Sequence, residues 1–229
     1  MALYPAQQRL RDRQIVIAVN LAGRNPDVLK PLSQAGAHIA FIDCERTGLG
    51  LDAATELIRA SHAAGLCPMV RSWSKEPEVL VRYLDRQASG LIVPHIKTVD
   101  DVRNAVELVR YACGTQTPEK SLIVQIETVS AVENLDAILS VPGVDAYLIG
   151  PNDLAYDMTG QRGAQTPDVM ETIQRVADQL RQKQRPFGLP ANWNQLPYFT
   201  SLGANFLYFP LEWLLQHALR DLQTALKLD

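Results

Sequence analysis

Two carboxylates in this chain close neighbouring apolar runs: Glu127 ends LIVQIE and Asp153 follows YLIGPN. If those runs are consecutive strands of one sheet they stand ~4.8 Å apart, and two carboxylates held that close repel unless a proton or a cation lies between them. Oxygen donors without a cysteine or histidine pair select a hard divalent ion such as magnesium or manganese. Each residue also has a plainer role open to it, Glu127 as the cap of a following helix and Asp153 as part of a turn with Gly150 and Pro151. Further polar groups stop other apolar runs. Asp43, Cys44, Glu45 and Arg46 follow IAFI, Arg71 follows CPMV, His95 follows GLIVP, Gln125 lies two residues before Glu127, and Asn152 precedes Asp153.

The elements that must position these groups repeat one rhythm. Eight short runs, apolar on both faces and too short for helices, read as buried parallel strands: 15–19, 38–42, 67–70, 90–94, 121–126, 145–149, 186–190 and 204–209. Segments of helical spacing separate them, at 26–35, 51–64, 76–86, 99–112, 130–140, 167–184, 192–202 and 211–227. Asn25 before Pro26, Thr98 before two aspartates and Thr166 before Pro167 are helix starts, and Gly36, Gly65, Gly143 and Gly203 are stops. Eightfold βα alternation over 229 residues predicts an α/β fold, a single (β/α)8 TIM barrel spanning 1–229, with a doubly wound open sheet as the alternative. In a barrel the carboxyl ends of the strands carry the chemistry, so the polar residues above converge on one mouth.

Composition narrows the function classes. The net charge is -3, from 22 basic and 25 acidic residues dispersed along the chain, which leaves no basic footprint for nucleic acid. Three cysteines, Cys44, Cys67 and Cys113, without CxxC spacing, argue against a disulfide framework and against a zinc site. The first residues, MALYPAQQRLRDRQ, carry charges where a signal peptide needs an apolar core, and no apolar run approaches the ~20 residues of a membrane span. The expectation is a soluble cytoplasmic protein with neither nucleic-acid nor membrane partners.

Three stretches carry a family resemblance: AHIAFIDCERTGLGLDAATELIRASHAAGLCPMVRSW, YLDRQASGLIVPHIKTVDDVRNAV, and LIVQIETVSAVENLDAILSVPGVDAYLIGPNDLAYDMTG. They resemble the HpcH/HpaI family of metal-dependent, class II pyruvate aldolases, barrels of the phosphoenolpyruvate/pyruvate type, from about residue 15 to the C-terminus. The resemblance implies that Glu127 and Asp153 are the metal ligands, for magnesium, manganese or cobalt. It implies that Arg71 contacts the keto oxygen of a bound 2-oxo acid, that Gln125 and Glu45 line the same pocket, and that Asp85 holds a proton-transfer water. It also implies that the backbone N–H groups of the stretch Gly150, Pro151, Asn152 take the substrate carboxylate.

Two departures from the family pattern stand out. Arg46 occupies the position of a family histidine that pairs with the residue matching Asp85, and arginine cannot shuttle protons near neutral pH. An ion pair between Arg46 and Asp85 is therefore expected. The connection before the fifth strand is also short, only YACGTQTPEKS at 111–121. His38, His62 and His217 read as structural or exposed, whereas His95 is at the right end of its strand to compensate.

The expected activity is that of a divalent-metal-dependent aldolase or lyase acting on an unphosphorylated 4-hydroxy-2-oxo acid through a pyruvate enolate. Phosphate is disfavoured because LPANW and YFPLEW, after the last two strands, lack glycines. The alternatives are a citrate-like polycarboxylate synthase or lyase, in which Arg46 would pair with an extra carboxylate, and a non-catalytic barrel that binds metal or oxo acid. The C-terminal helix 211–227 has a wide apolar stripe, which either packs on its own barrel or, as the resemblance implies, is exchanged between subunits of a hexamer built from dimers.

Overall fold

In a computed structural model describing residues 4–114, 120–163, 166–190 and 192–227, eight parallel strands close into a barrel in sequence order. They are β1 (Val16–Asn20), β2 (Ile39–Asp43), β3 (Cys67–Arg71), β4 (Gly90–Val93), β5 (Ser121–Ile126), β6 (Ala146–Ile149), β7 (Phe187–Pro190) and β8 (Phe206–Pro210). Closure is made by β8 against β1, with Val16 opposite Phe206 and Asn20 opposite Pro210, so the open sheet is ruled out.

Both faces of each strand are buried, which is why the runs read as continuously apolar. One set of alternate residues points inward and fills the barrel, among them Ala18, Phe41, Met69, Ile123 and Leu148. The same alternation carried toward the carboxyl ends turns polar: Asn20 follows Ala18, Asp43 follows Phe41, Arg71 follows Met69 and Gln125 follows Ile123, each two residues on. Strand parity therefore aims these side chains into the mouth. The opposite set, including Ala40, Ile42, Val70, Leu91 and Val124, packs beneath the surrounding helices.

Those helices are α2 (Leu29–Gln34), α3 (Leu51–Ala63), α4 (Pro77–Asp85), α5 (Val99–Cys113), α6 (Val129–Glu133), α7 (Leu135–Ser140), α9 (Pro167–Gln182), α10 (Leu196–Ser201) and α11 (Leu211–Leu226). The expected segment at 26–35 begins as a 3-10 turn, Pro26–Val28, and the one at 130–140 is divided at Asn134 into α6 and α7. Thr98 starts α5 by accepting from the Asp101 N–H, and Asp101 returns the bond to the Thr98 N–H. Of the short connection 111–121, residues 115–119 lie outside the described residues.

Two helices were not anticipated. One is α1 (Pro5–Arg11), which closes the amino end of the barrel with Ala6 and Leu10, while Gln7 donates to the Ser89 carbonyl and the Ser121 hydroxyl at 3.1 Å each. The other is α8 (Pro151–Thr159), a helix that starts at Gly150 and Pro151 in place of a simple turn. Most of the apolar stripe of α11 is not covered by its own barrel: Leu211 is buried and Leu214 half-buried, but Leu215, Leu219, Leu222 and Leu226 are all more than half exposed. Among the described residues no helix is long and apolar enough to cross a membrane.

Candidate active site

Asp43, the last residue of β2, organises the wall that follows it. Its Oδ1 accepts the backbone N–H groups of Glu45 at 3.0 Å and Arg46 at 3.2 Å, an aspartate turn that folds the charged loop back over the strand end. Arg71 is Asp43's registered partner on β3 and grips the same carboxylate with both arms, Nε to Oδ1 at 2.9 Å and Nη2 to Oδ2 at 2.6 Å. Asn20 Nδ2 donates to Asp43 Oδ2 at 3.2 Å and also lies 2.8 Å from the Tyr208 hydroxyl. Burial pushes the Asp43 carboxyl up, but Arg71 and the two backbone donors outweigh it and hold it below the usual carboxylate range. Arg71 is likewise opposed by burial, yet Asp43 and Glu45 hold its guanidinium above the ordinary value.

Glu45 reaches inward from this loop and is 3.1 Å from Arg71 Nε through Oε2, 3.6 Å from Arg46 through Oε1, and 3.4 Å from His95 Nε2. Its buried Oε2 nonetheless receives no hydrogen bond from the described residues, because the Arg71 Nε–H is already directed at Asp43. That contact is one of charge alone, and it leaves an acceptor open.

Glu127 follows β5 and is 1 % exposed. Its Oε1 accepts the backbone N–H of His95 at 2.7 Å and its Oε2 accepts Gln125 Nε2 at 2.5 Å. The His95 backbone is left-handed, φ 59°, an uncommon conformation for a residue other than glycine, and this brings its N–H against the carboxylate. Gly150 faces Glu127 from the end of β6, where a Cβ would stand 2.8 Å from Glu127 Cβ and 2.9 Å from Oε2. Burial first, then the charges of Glu45 and Asp153, push the Glu127 carboxyl up to about 7, against the lowering influence of the His95 N–H and Arg71. Gln125 Oε1 beside it is a buried acceptor with no hydrogen-bond partner among the described residues.

Asp153 sits in the first turn of α8, where a negative charge suits the helix dipole. Both of its oxygens are taken, Oδ2 by Arg46 Nη2 at 2.5 Å and Oδ1 by Arg162 Nη2 at 3.0 Å. Burial opposes the Arg46 charge, but Asp153 and Glu45 hold its pKa above the ordinary value.

The structure thus brings Glu45, Arg46, Arg71, His95, Gln125, Glu127, Gly150, Pro151, Asn152 and Asp153 to one mouth, around or beside a cavity of 570 Å³. Asp85 is not among them. It ends α4, which runs antiparallel to the strands and returns to the amino side of the barrel, where its charge is felt at Lys120 before β5. There it borders a surface groove with Asp52, Glu56 and Arg59. The expected Arg46–Asp85 ion pair does not form within the chain; Arg46 turns to Asp153 and Glu45 instead. The expected anion cradle also changes in detail. The Gly150 N–H is committed to the Ile126 carbonyl at 3.0 Å and Pro151 has none, so the donors of the first turn of α8 are those of Asn152 and Asp153.

Sequence reasoning missed Asn20, Tyr208, Arg162 and Trp213, all of which line the cavity. Asn20 was findable from the inward parity of β1. Arg162 was not, because it arrives from a loop after α8 that carries no strand-end signal.

Glu45, His95 and Glu127 each offer one donor atom, all within 4.8 Å of one another, a possible metal site. Three features fit a hard divalent ion: crowded carboxylates, an acid whose pKa is raised by burial and then by neighbouring carboxylates, and open acceptors on Glu45 and Gln125. Asp153 is outside that triplet, though its charge is felt at Glu127.

Known proteins agree with this geometry. The chain is 30 % identical over 210 residues to a hydroxypyruvate/pyruvate aldolase from Roseovarius nubinhibens, covering 80 % of each chain. It is 31 % identical over 196 residues to a 4-hydroxy-4-methyl-2-oxoglutarate aldolase from Chaetomium globosum, covering 74 % of this chain and 73 % of that one. The crystal structure of an HpcH/HpaI aldolase/citrate lyase family protein from Burkholderia cenocepacia superposes with a TM-score of 0.86 at 26 % identity, over 97 % of this chain and 99 % of that one. Residues 17–189 match the family described as HpcH/HpaI aldolase/citrate lyase, and with the closed barrel and its acidic mouth this establishes that the chain belongs to that family.

Proposed function

We propose that the protein is a divalent-metal-dependent carbon–carbon lyase that cleaves or forms a bond of an unphosphorylated 4-hydroxy-2-oxo acid, with Mg2+, Mn2+ or Co2+ as cofactor. The observation that carries this reading is Glu127, a buried carboxylate crowded by Glu45 and Asp153 with a pKa of about 7, an arrangement that calls for a cation. Glu127 and Asp153 would hold the ion, with Glu45 and His95 beside it. When bound, a divalent ion makes the ketone of a 2-oxo acid a better electron sink.

The chain's own residues supply the remainder. Arg71, fixed by Asp43, places a planar positive charge against the keto oxygen as negative charge develops there. The Asn152 and Asp153 N–H groups at the start of α8 receive the substrate carboxylate, and Gln125 lines the pocket beneath. His95, half exposed and 3.4 Å from both Glu45 and Glu127, stands beside the cavity and is the candidate for moving a proton. Arg46, whose guanidinium is held above its already high ordinary pKa, does not release a proton near neutral pH.

The reading extends to assembly and compartment. Four leucines on one exposed face of α11 support docking of this helix onto a second copy, in a hexamer built from dimers. Free Cys44, Cys67 and Cys113 suit a reducing cytoplasm.

Incubating the protein with oxaloacetate and Mn2+, and following oxaloacetate against a metal-free control, tests the enolate chemistry. Metal-dependent decay that disappears in Glu127→Gln supports the reading. Intact metal binding without decay would identify a non-catalytic barrel.

A further inference from the structure

Asp153 presents both of its carboxylate oxygens to arginine, Oδ2 to Arg46 and Oδ1 to Arg162. The two guanidiniums arrive from separate segments, the loop after β2 and the loop after α8, and both line the 570 Å³ cavity. Neither has ample counter-charge elsewhere. Arg162 forms its one ion pair among the described residues with Asp153. Arg46's other acidic neighbour is Glu45 at 3.6 Å, which already faces Arg71 at 3.1 Å and His95 at 3.4 Å. A divalent ion on Asp153 must therefore contend with two cations already on that carboxylate. Its arrival leaves both guanidiniums short of an anion at the rim of an open cavity.

Building on the metal-site reading above, we infer that Arg46 and Arg162 form an electrostatic lock on Asp153 that weakens metal binding to the free protein and is released by a substrate bearing a second carboxylate. Guanidinium forks match carboxylates in two-point contact, so a dicarboxylic 2-oxo acid supplies what the ion takes away. By linkage, an acid that captures the guanidiniums strengthens metal binding by the factor with which metal strengthens its own. An acid with a single carboxylate engages the metal and the start of α8 but leaves the lock unanswered. Arg162 is thus a positioning and specificity residue, acting through Asp153 on the metal and directly on the second carboxylate.

The test is calorimetric titration of the full chain with Mn2+, alone and in the presence of pyruvate or 2-oxoglutarate, with no turnover involved. Arg162→Gln and Arg46→Gln are each expected to bind Mn2+ about tenfold more tightly than the native chain without any acid, the equivalent of roughly 1.4 kcal/mol of competing charge removed. In the native chain 2-oxoglutarate should tighten Mn2+ binding about tenfold more than pyruvate does, and this excess should vanish in Arg162→Gln. Arg162 is exposed, so its replacement leaves the fold intact, which a matching thermal melt verifies. Unchanged or weaker Mn2+ binding in both variants, or equal tightening by the two acids, overturns the lock. Mn2+ binding that is absent, or that survives Glu127→Gln, would instead remove the metal-site reading and the lock with it.

Discussion

Arg46 donates to Asp153 across 2.5 Å and so joins the loop after β2 to the first turn of α8, on the far side of the mouth. The position that resembles a family histidine is occupied by a fixed cation turned toward an acid on α8, while Asp85 remains at the other end of the barrel. The polar mouth is accordingly an alternation of charges, Asp43 with Arg71, Glu45 between Arg71 and Arg46, and Asp153 between Arg46 and Arg162.

Removing Asp43 exposes how much of this alternation is structural. Its carboxylate is 2 % exposed and holds Arg71 and two backbone N–H groups. Asp43→Ala leaves a largely buried guanidinium without its main partner, a change that costs about 3–5 kcal/mol. Urea denaturation should show a lower midpoint with an unchanged slope.

Arg71→Lys keeps the charge and loses the fork that engages Nε and Nη2 with Asp43. An ammonium cannot hold both oxygens and face substrate in one orientation. Turnover of oxaloacetate is expected to fall more than about tenfold, equivalent to over ~1.4 kcal/mol of transition-state stabilisation. Steady-state kinetics with saturating Mn2+ would read the loss in kcat, and an unchanged kcat would return Arg71 to a purely structural role.

The raised pKa of Glu127 has a definite sign for stability. Its folded value of about 7 lies above the ~4.3 of an unfolded glutamate, so the protonated acid favours the fold below that range and the contribution is lost as pH rises toward 7. A metal ion replaces the proton and relieves the buried charge, and below about pH 7 it must first displace that proton. The rise in Tm produced by Mn2+ should therefore be larger at pH 8 than at pH 6. Glu127→Gln should remove the difference.

The exposed leucines of α11 carry the assembly reading. Leu219→Glu places a charge within a face formed with Leu215, Leu222 and Leu226, none of which packs on the chain's own barrel. Light scattering should show the native chain as an oligomer and the variant as a smaller species. A monomer in the native chain at working concentration would leave α11 without this role.

Much of the fold was legible because local physics dictates it. Strands buried on both faces must be apolar throughout, and helices laid over them must be apolar on one side, so the eightfold alternation and the element limits at β3, β5 and α5 could be read within a residue or two. Helix α1 escaped notice because its short charged segment gains helical structure only by plugging the barrel with Ala6 and Leu10. The side chains that end each strand were legible for the same reason of parity, which turns Asp43, Arg71 and Gln125 inward whatever their partners. Partnership was decided by tertiary structure alone. Ion pairs such as Arg46 with Asp153 join residues 107 positions apart, and the distance between two charged groups depends on barrel closure, loop path and rotamer, none of which a linear spacing encodes. Asp85 shows the same limit from the other side, since a motif position can name an acid, but only the antiparallel return of α4 determines at which end of the barrel that acid stands.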